Sequence, residues 1–256
     1  MLQNESAIVT GAGSGIGREV SYRFARSGAK LLLLDKDKTR VEQTAAELLA
    51  QGAEAEAMAT DVLSYEQLCD AADRAESLYG KIDIWCNCAG VSTMNHVWDL
   101  TEEEWDFNMD VNAKGVFLCV KVAAAHMMPR RYGRIVSIAS IASLQSDPLL
   151  AHYCASKWAV LGFSKTAAYE LAKYGITVNC VCPGTVATEM QAREMQWSAH
   201  LQGIDPDQVY QNWVTGTPIG ILTQPSDVAQ AVEFLARREN RMITGIALPV
   251  TGGAEL

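Results

Sequence analysis

Seven short apolar runs recur along the chain, separated by stretches in which apolar residues return every three or four positions. The runs are SAIVT (6–10), KLLLLD (30–35), AEAMAT (55–60), IDIWCN (82–87), GRIVSIAS (133–140), GITVNCVCPG (175–184) and TGIALPVTGG (244–253). Continuous apolar runs of this length predict strands buried on both faces. The intervening segments predict helices: one from the glycine-rich turn at 11–17 to about Ser27, then 39–52, 64–79, 101–128, 151–173 and 226–238. Ser64 and the TEEEW segment at 101–105 supply helix starts, and Gly52 supplies a helix end. Strand and helix alternate at least six times, which predicts an α/β fold with a parallel, doubly wound sheet. No fixed-period repeat, low-complexity tract or linker interrupts the pattern, so one domain over 1–256 is expected.

Two places break the rhythm. The helix expected at 101–128 is long and holds Asn112 among apolar residues, where it would bend the helix and bind a water. The segment at about 184–224 is rich in Met, Trp and Gln and follows a strand's C-terminal end, where such sheets bind ligands. It reads either as a mobile lid over a substrate or as a pair of helices packed on the sheet edge.

Composition narrows the setting. A net charge of −9 without a basic cluster argues against a nucleic-acid partner. No apolar run reaches the roughly 18 residues of a membrane span, and the N-terminus lacks a basic segment followed by an apolar one. The seven cysteines lie mostly within apolar runs, which suits free thiols in a reducing cytoplasm. Cys86-x-Cys88 and Cys180-x-Cys182 have no accompanying His cluster, so buried thiols are expected and a metal site is not.

The candidate chemistry begins at the first strand's end. Four glycines fall within residues 11–17, GAGSGIG. A glycine-rich strand–helix turn brings backbone N–H groups and the positive end of a helix against a pyrophosphate. The spacing Gly11-x-x-x-Gly15-x-Gly17 departs from the common G-x-G-x-x-G form. A tight turn without ligand is the plain alternative, although glycines in a helix start cost stability unless close approach is needed. Asp35 ends the second strand, where a carboxylate accepts from adenosine ribose hydroxyls and repels the extra phosphate of NADP. Lys36 and Lys38 would soften that preference. Asp61 and Val62 follow the third strand and would border an adenine. Asn87 ends the fourth, and the small residues Ala89 and Gly90 would let the backbone approach a ligand.

The segment from Ser140 to Lys157 carries the reactive set. Tyr153 and Lys157 are four residues apart on one expected helix face. A free tyrosine, with a pKa near ~10, is a poor base at neutral pH. An adjacent ammonium favours the phenolate. Bringing the phenol to about 7 takes on the order of 4 kcal/mol, which a fixed lysine and a cationic nicotinamide ring can supply together. Ser140 lies before this helix and could hold a substrate hydroxyl. Alone, Tyr-x-x-x-Lys also decorates many solvated helices; the nucleotide turn elsewhere in the chain is what gives it weight.

Taken together, Gly11-x-x-x-Gly15-x-Gly17, Asn87-x-Ala89-Gly90, Asn112, Ser140, Tyr153-x-x-x-Lys157 and Pro183-Gly184 resemble the short-chain dehydrogenase/reductase family over essentially the whole chain. The resemblance implies a seven-stranded Rossmann sheet, a nicotinamide cofactor and a tetramer joined through the helices bearing Asn112 and Tyr153. It implies Ser140, Tyr153, Lys157 and Asn112 as catalytic residues. Gly11, Ser14, Gly15, Ile16, Gly17, Asp35, Asp61, Val62, Asn87, Ala89 and Gly90 would touch the cofactor, as would Tyr153, Lys157, Pro183, Gly184, Val186 and Thr188. Two departures stand out: Cys88 replaces a usual Asn, and Thr251 replaces a frequent Asp. By the same resemblance, Tyr153 would take the alcohol proton, Ser140 would stabilise the substrate oxygen, and Lys157 would bond the nicotinamide ribose and pass the proton through a water near Asn112.

Substrate is read more coarsely. Ser92, Thr93, Asn95, Gln145, Ser146 and His152 are polar and near the expected mouth, and Met190, Met195, Trp197 and Trp213 belong to the lid. The substrate set is taken as Ser140, Gln145, Tyr153, Trp197 and Trp213, with a polyol or sugar as the expected secondary alcohol. NAD is expected over NADP, because Asp35 is present and a basic residue is absent at Ser14. The competing readings are an NADPH-dependent ketone or 3-oxoacyl thioester reductase, and a nucleotide-sensing regulator without catalysis. Val160, Leu161 and Phe163 would suit an interface between copies.

Overall fold

The computed structural model describes residues 1–254; Glu255 and Leu256, the end of the expected domain, lie outside the described residues. The chain alternates as expected. Strand β1 (Ser6–Thr10) leads to α1 (Gly15–Arg26), β2 (Lys30–Asp35) to α2 (Lys38–Ala50), and β3 (Ala55–Ala59) to α3 (Tyr65–Tyr79). After β4 (Ile84–Asn87) come α4 (Glu102–Asn108) and α5 (Gly115–Met127). The second half runs β5 (Gly133–Ile138), α6 (Ala151–Leu171), β6 (Ile176–Pro183), α7 (Glu189–Gln202), α8 (Pro206–Thr215), α9 (Pro225–Ala236) and β7 (Ala247–Val250).

The seven strands form one sheet in the order β3-β2-β1-β4-β5-β6-β7, and every pairing is parallel. This is the doubly wound Rossmann arrangement. The order reverses between β1 and β4, so a crevice opens beyond their C-terminal ends. The two faces explain the continuous apolar runs. Ile8, Leu32, Leu34 and Trp85 join the core on one side. Ala7, Val9, Leu31, Leu33, Ile84 and Cys86 join the core on the other.

The long helix expected over 101–128 is divided. Thr101 and Glu104 form a reciprocal cap that starts α4. A π-turn at Met109–Lys114 then separates α4 from α5 and contains Asn112. Single π-turns within helices commonly serve a site rather than the helix. The 184–224 segment is mostly helical, as α7 and α8. Its base is tied to the fold by a parallel bridge between Val186 and Thr223.

The interface expectation needs correction. Val160 and Leu161 are buried in the core and cannot present themselves to another copy. On α5 and α6, Phe117, Trp158 and Tyr169 are the exposed large apolar residues among those described, and Phe163 is half-buried. A helix buried along most of its length has apolar residues on several sides, so its spacing alone does not separate a core face from an outer one.

Candidate functional site

Two cavities meet at the C-terminal ends of the central strands. The first, about 760 Å³, is lined by Ser140, Tyr153, Lys157, Pro183, Gly184 and Val186 on the sheet side and by residues of α7 and α8 on the other. The second, about 710 Å³, is lined by Gly11, Ser14, Gly15, Gly17, Asp35, Asp61, Val62 and Ala89. Ile16, Gly90 and Thr188 line both.

The second cavity has the features of a dinucleotide cradle. Gly11 has a φ of +65°, and a Cβ there would lie 2.8 Å from the Ala89 backbone. A Cβ on Gly17 would lie 2.2 Å from the Gly11 carbonyl oxygen. Glycine therefore lets the β1–α1 turn close against the end of β4 and lets α1 start at the sheet edge. Ser14 precedes α1 without capping it through its side chain, and no acidic residue occupies the helix's first turn. The positive end of α1 thus faces the cavity uncompensated. Asp35 stands at the far end, where its carboxylate accepts from the Gly13 and Asp37 backbone N–H groups at 3.0 Å each. These features fit a nicotinamide dinucleotide, with its pyrophosphate on the turn and its ribose toward Asp35.

Basic residues near Asp35 are arranged differently from the sequence reading. Lys36 lines the cavity, whereas the Lys38 ammonium is turned to Glu42 at 3.8 Å and does not. Arg40, not singled out from sequence, lines it instead. Its guanidinium donates to Glu189 at 2.8 Å, linking α2 to the start of α7. Arg40 lies five residues beyond Asp35 in the first turn of α2, and that placement is the signal that could have found it.

The reactive set assembles around α6. Lys157 Nζ lies 5.6 Å from the Tyr153 ring centroid and donates to the Ile138 carbonyl at 2.9 Å. Ser140 Oγ accepts from the Ala142 N–H at 3.1 Å, which fixes its side chain at the cavity floor. Burial pushes the Tyr153 phenol well above its ordinary range; the Glu194 charge adds to this and the Ser140 hydroxyl opposes it. Burial also pulls the Lys157 ammonium down to about 8. The expectation of a phenol lowered by its lysine is therefore not what the chain alone produces. Desolvation is the largest influence on both groups: the carboxylate charges push Tyr153 further the same way, and the neighbouring thiols only partly offset the fall at Lys157.

Asn112 does not line either cavity. Buried in the π-turn, its Oδ1 accepts from the Val91 N–H at 2.8 Å. Its Nδ2 donates to the Val91 carbonyl and to Ser156 Oγ, each at 2.9 Å. It thereby fastens the loop after β4 to α6. A Cβ on Gly90 would lie 3.2 Å from Asn112 Oδ1 and 3.5 Å from Lys157 Nζ. The missing side chain leaves a small space bordered by both groups.

Other expected residues separate. Asn87 is buried and donates to Ser137 Oγ at 2.9 Å, away from both cavities, with its Oδ1 unpartnered. Trp213 lines the first cavity and Trp197 the second, while Gln145 is exposed and lines neither. His152 is fully buried against Thr93 Oγ1 at 2.6 Å and does not line the cavity mouth. Among the described residues no cluster of three His, Cys, Asp or Glu side chains could hold a metal ion. Sequence reasoning missed Gln191 and Glu194, which line the first cavity with Ser198 and Gln202. Their spacing along α7 is one helical stripe, and such a polar stripe ordinarily reads as a solvated face.

A doubly wound parallel sheet with this cradle, and with Ser140, Tyr153 and Lys157 beside it, defines a dinucleotide-dependent oxidoreductase. The sequence matches the short chain dehydrogenase family over residues 5–199, and the chain belongs to that family. It is an oxidoreductase of the kind that acts on CH–OH groups with NAD or NADP. It is 36% identical over 256 residues to the oxidoreductase UcpA of Salmonella typhimurium, covering 100% of this chain and 96% of the relative. NAD+-bound xylitol dehydrogenase superposes with a TM-score of 0.95 at 31% identity, covering 98% of this chain and 99% of that one. An NADPH-containing actinorhodin polyketide ketoreductase superposes with a TM-score of 0.94 at 35% identity, covering 98% and 97%.

Proposed function

We propose that this chain is an NAD-preferring dehydrogenase that interconverts a polyol, sugar or related secondary alcohol and its ketone. The observation that carries the proposal is the meeting of the two cavities. Ser140, Tyr153 and Lys157 border a substrate-sized space that adjoins a dinucleotide cradle with Asp35 at its far end. When bound, the nicotinamide supplies the hydride acceptor for oxidation or the donor for reduction.

The chain's own residues divide the remaining work. Tyr153 Oη takes the alcohol proton, or gives it back in reduction. Ser140 Oγ hydrogen-bonds the substrate oxygen and holds it beside the phenol. Lys157, anchored on the Ile138 carbonyl, carries positive charge next to Tyr153 and lies beside the space at Gly90 through which a proton can leave. Asn112 acts as a positioning residue by fixing the Val91 backbone and Ser156. Asp35 accepts from the adenosine ribose and repels a 2′-phosphate. The α7–α8 segment serves as a lid hinged near Val186 and Thr223. The protein works in the cytoplasm as a tetramer, assembled through the helical face that exposes Phe117, Trp158 and Tyr169.

A second reading has its own observation. Lys36 and Arg40 line the same end of the cradle as Asp35, and two cations beside the ribose site would suit the extra phosphate of NADP. Initial rates on a panel of polyols, aldoses, hydroxysteroids and simple alcohols, measured with NAD and NADP in parallel, separate the readings. Turnover of hydroxylated substrates at least tenfold faster with NAD supports the proposal. Turnover confined to NADP moves the ketone reductase to the front, and binding of either cofactor without turnover of any alcohol favours a regulator.

A further inference from the structure

The substrate cavity is chemically lopsided. Its sheet-side floor carries Ser140, Tyr153 and Lys157, and Lys157 is the only cationic side chain lining it among the described residues. The opposite wall, on α7, carries Gln191 and Glu194 three residues apart, so their side chains are neighbours on one helix face. Gln191 is only 9% exposed, yet its Nε2 has no hydrogen-bond partner. Ser92 Oγ is buried, and its hydroxyl beside the Glu194 carboxyl lowers that group's pKa. Burial raises the Glu194 carboxyl, and its charge is felt at the Tyr153 phenol. A buried donor left unpaired beside a carboxylate is costly unless a ligand completes it.

The pairing restricts what can complete it. Glu194 offers an acceptor and Gln191 a donor. An ammonium would satisfy Glu194 alone. A carboxylate or phosphate would satisfy Gln191 alone and would be repelled by Glu194. A hydroxyl donates and accepts, so it satisfies both at once. We infer that Gln191 and Glu194 form a specificity subsite that binds a second hydroxyl of the substrate, beyond the one being oxidised. The inference rests on the proposed alcohol dehydrogenase activity and narrows its substrates to molecules with at least two hydroxyls. It also excludes substrates with an anionic group at that position.

The test compares three probes of similar size: a cyclic vicinal diol, the matching mono-ol and the matching hydroxy carboxylate. They are assayed with the parent enzyme, Glu194→Gln, Glu194→Leu and Gln191→Leu. The parent is expected to prefer the diol. In Glu194→Leu the ratio of kcat/KM for diol over mono-ol falls at least tenfold, mostly through KM. In Glu194→Gln the hydroxy carboxylate gains relative to the diol, because the repulsion is gone. Gln191→Leu reports on the same subsite should Glu194→Leu not fold. Diol-to-mono-ol ratios within twofold of the parent in the folded variants overturn the inference while the dehydrogenase reading stands. A parent that prefers the hydroxy carboxylate overturns it equally. A parent that turns over no alcohol with either cofactor overturns both.

Discussion

Lys157 and Tyr153 share a helix face, yet burial moves them in opposite directions. The Lys157 ammonium titrates at about 8 in the fold instead of its ordinary 10.5. Below pH 8 both folded and unfolded chains hold the proton, and the fold carries the full desolvation cost. From pH 8 to 10.5 only the unfolded chain holds it, so that cost fades and stability rises with pH. The shift corresponds to on the order of 3 kcal/mol. Lys157→Met is therefore expected to make the cofactor-free protein more stable at pH 7 by about 2 kcal/mol, allowing for the lost bond to the Ile138 carbonyl. Urea unfolding should find that gain at pH 7 and little of it at pH 10, whereas an equal change at both would contradict the account. The same variant should lose activity, because the proposed function uses the Lys157 charge beside Tyr153. Tyr153 and Lys157 were legible in the sequence because their spacing is itself a geometric statement. Gln191 and Glu194 were not, because a polar stripe on a helix looks the same whether it faces water or a cavity.

At the scale of elements, the π-turn at Met109–Lys114 is the least regular piece near the site. It holds a buried amide that ties the loop after β4 and α6 to the α4–α5 junction. Asn112→Leu removes three hydrogen bonds and leaves the Val91 backbone groups without these partners. Denaturant unfolding should show a loss of about 2–4 kcal/mol, and turnover should fall as the Gly90 region loosens. A variant of unchanged stability would mean that Asn112 is not the fastener. Sequence placed an irregularity at Asn112 correctly, since a lone amide in an apolar helix demands partners. It could not place those partners, which lie 21 and 44 residues away. The α7–α8 segment makes a different prediction. Amide exchange over residues 189–215 should slow several-fold with saturating NADH, while β5 and β6 stay unchanged. Equal protection with and without NADH would argue for fixed helices in place of a lid.

For the whole molecule, the sheet's layered burial was the most legible feature. Continuous apolar runs pointed to a sheet covered on both faces, which holds for the central strands, whereas the edge strands β3 and β7 are only partly covered, and parallel strands follow from the helices between them. What held those layers at their N-terminal edge was hidden. Asp83 is fully buried, accepts from the Ser6 N–H, and pairs with Arg130 at 2.6 Å and Lys81 at 2.7 Å. Burial pushes its carboxyl up, but Lys81, Arg130 and Ser6 together hold it below its ordinary value. Asp83→Asn leaves two partly buried cations short of a partner and should cost about 3–5 kcal/mol. Because Asp83 lies at the opposite edge from the cavities, kcat at a temperature below unfolding should be unchanged. Assembly is also decided at this scale. Light scattering should return four times the mass of one chain, and Trp158→Glu should reduce it; a monomeric parent would remove the interface role from Phe117, Trp158 and Tyr169.

On the proposed function, Tyr153 carries the proton in a site where the cofactor is held by other residues. The most direct measurement pairs turnover with NADH binding, followed by cofactor fluorescence, in Tyr153→Phe. In this variant kcat/KM for the best alcohol is expected to fall by about 10³-fold or more while the NADH Kd stays within about threefold of the parent. Turnover within tenfold of the parent would contradict Tyr153 as the acid–base group. Loss of NADH binding would contradict the separation of proton transfer from cofactor recognition.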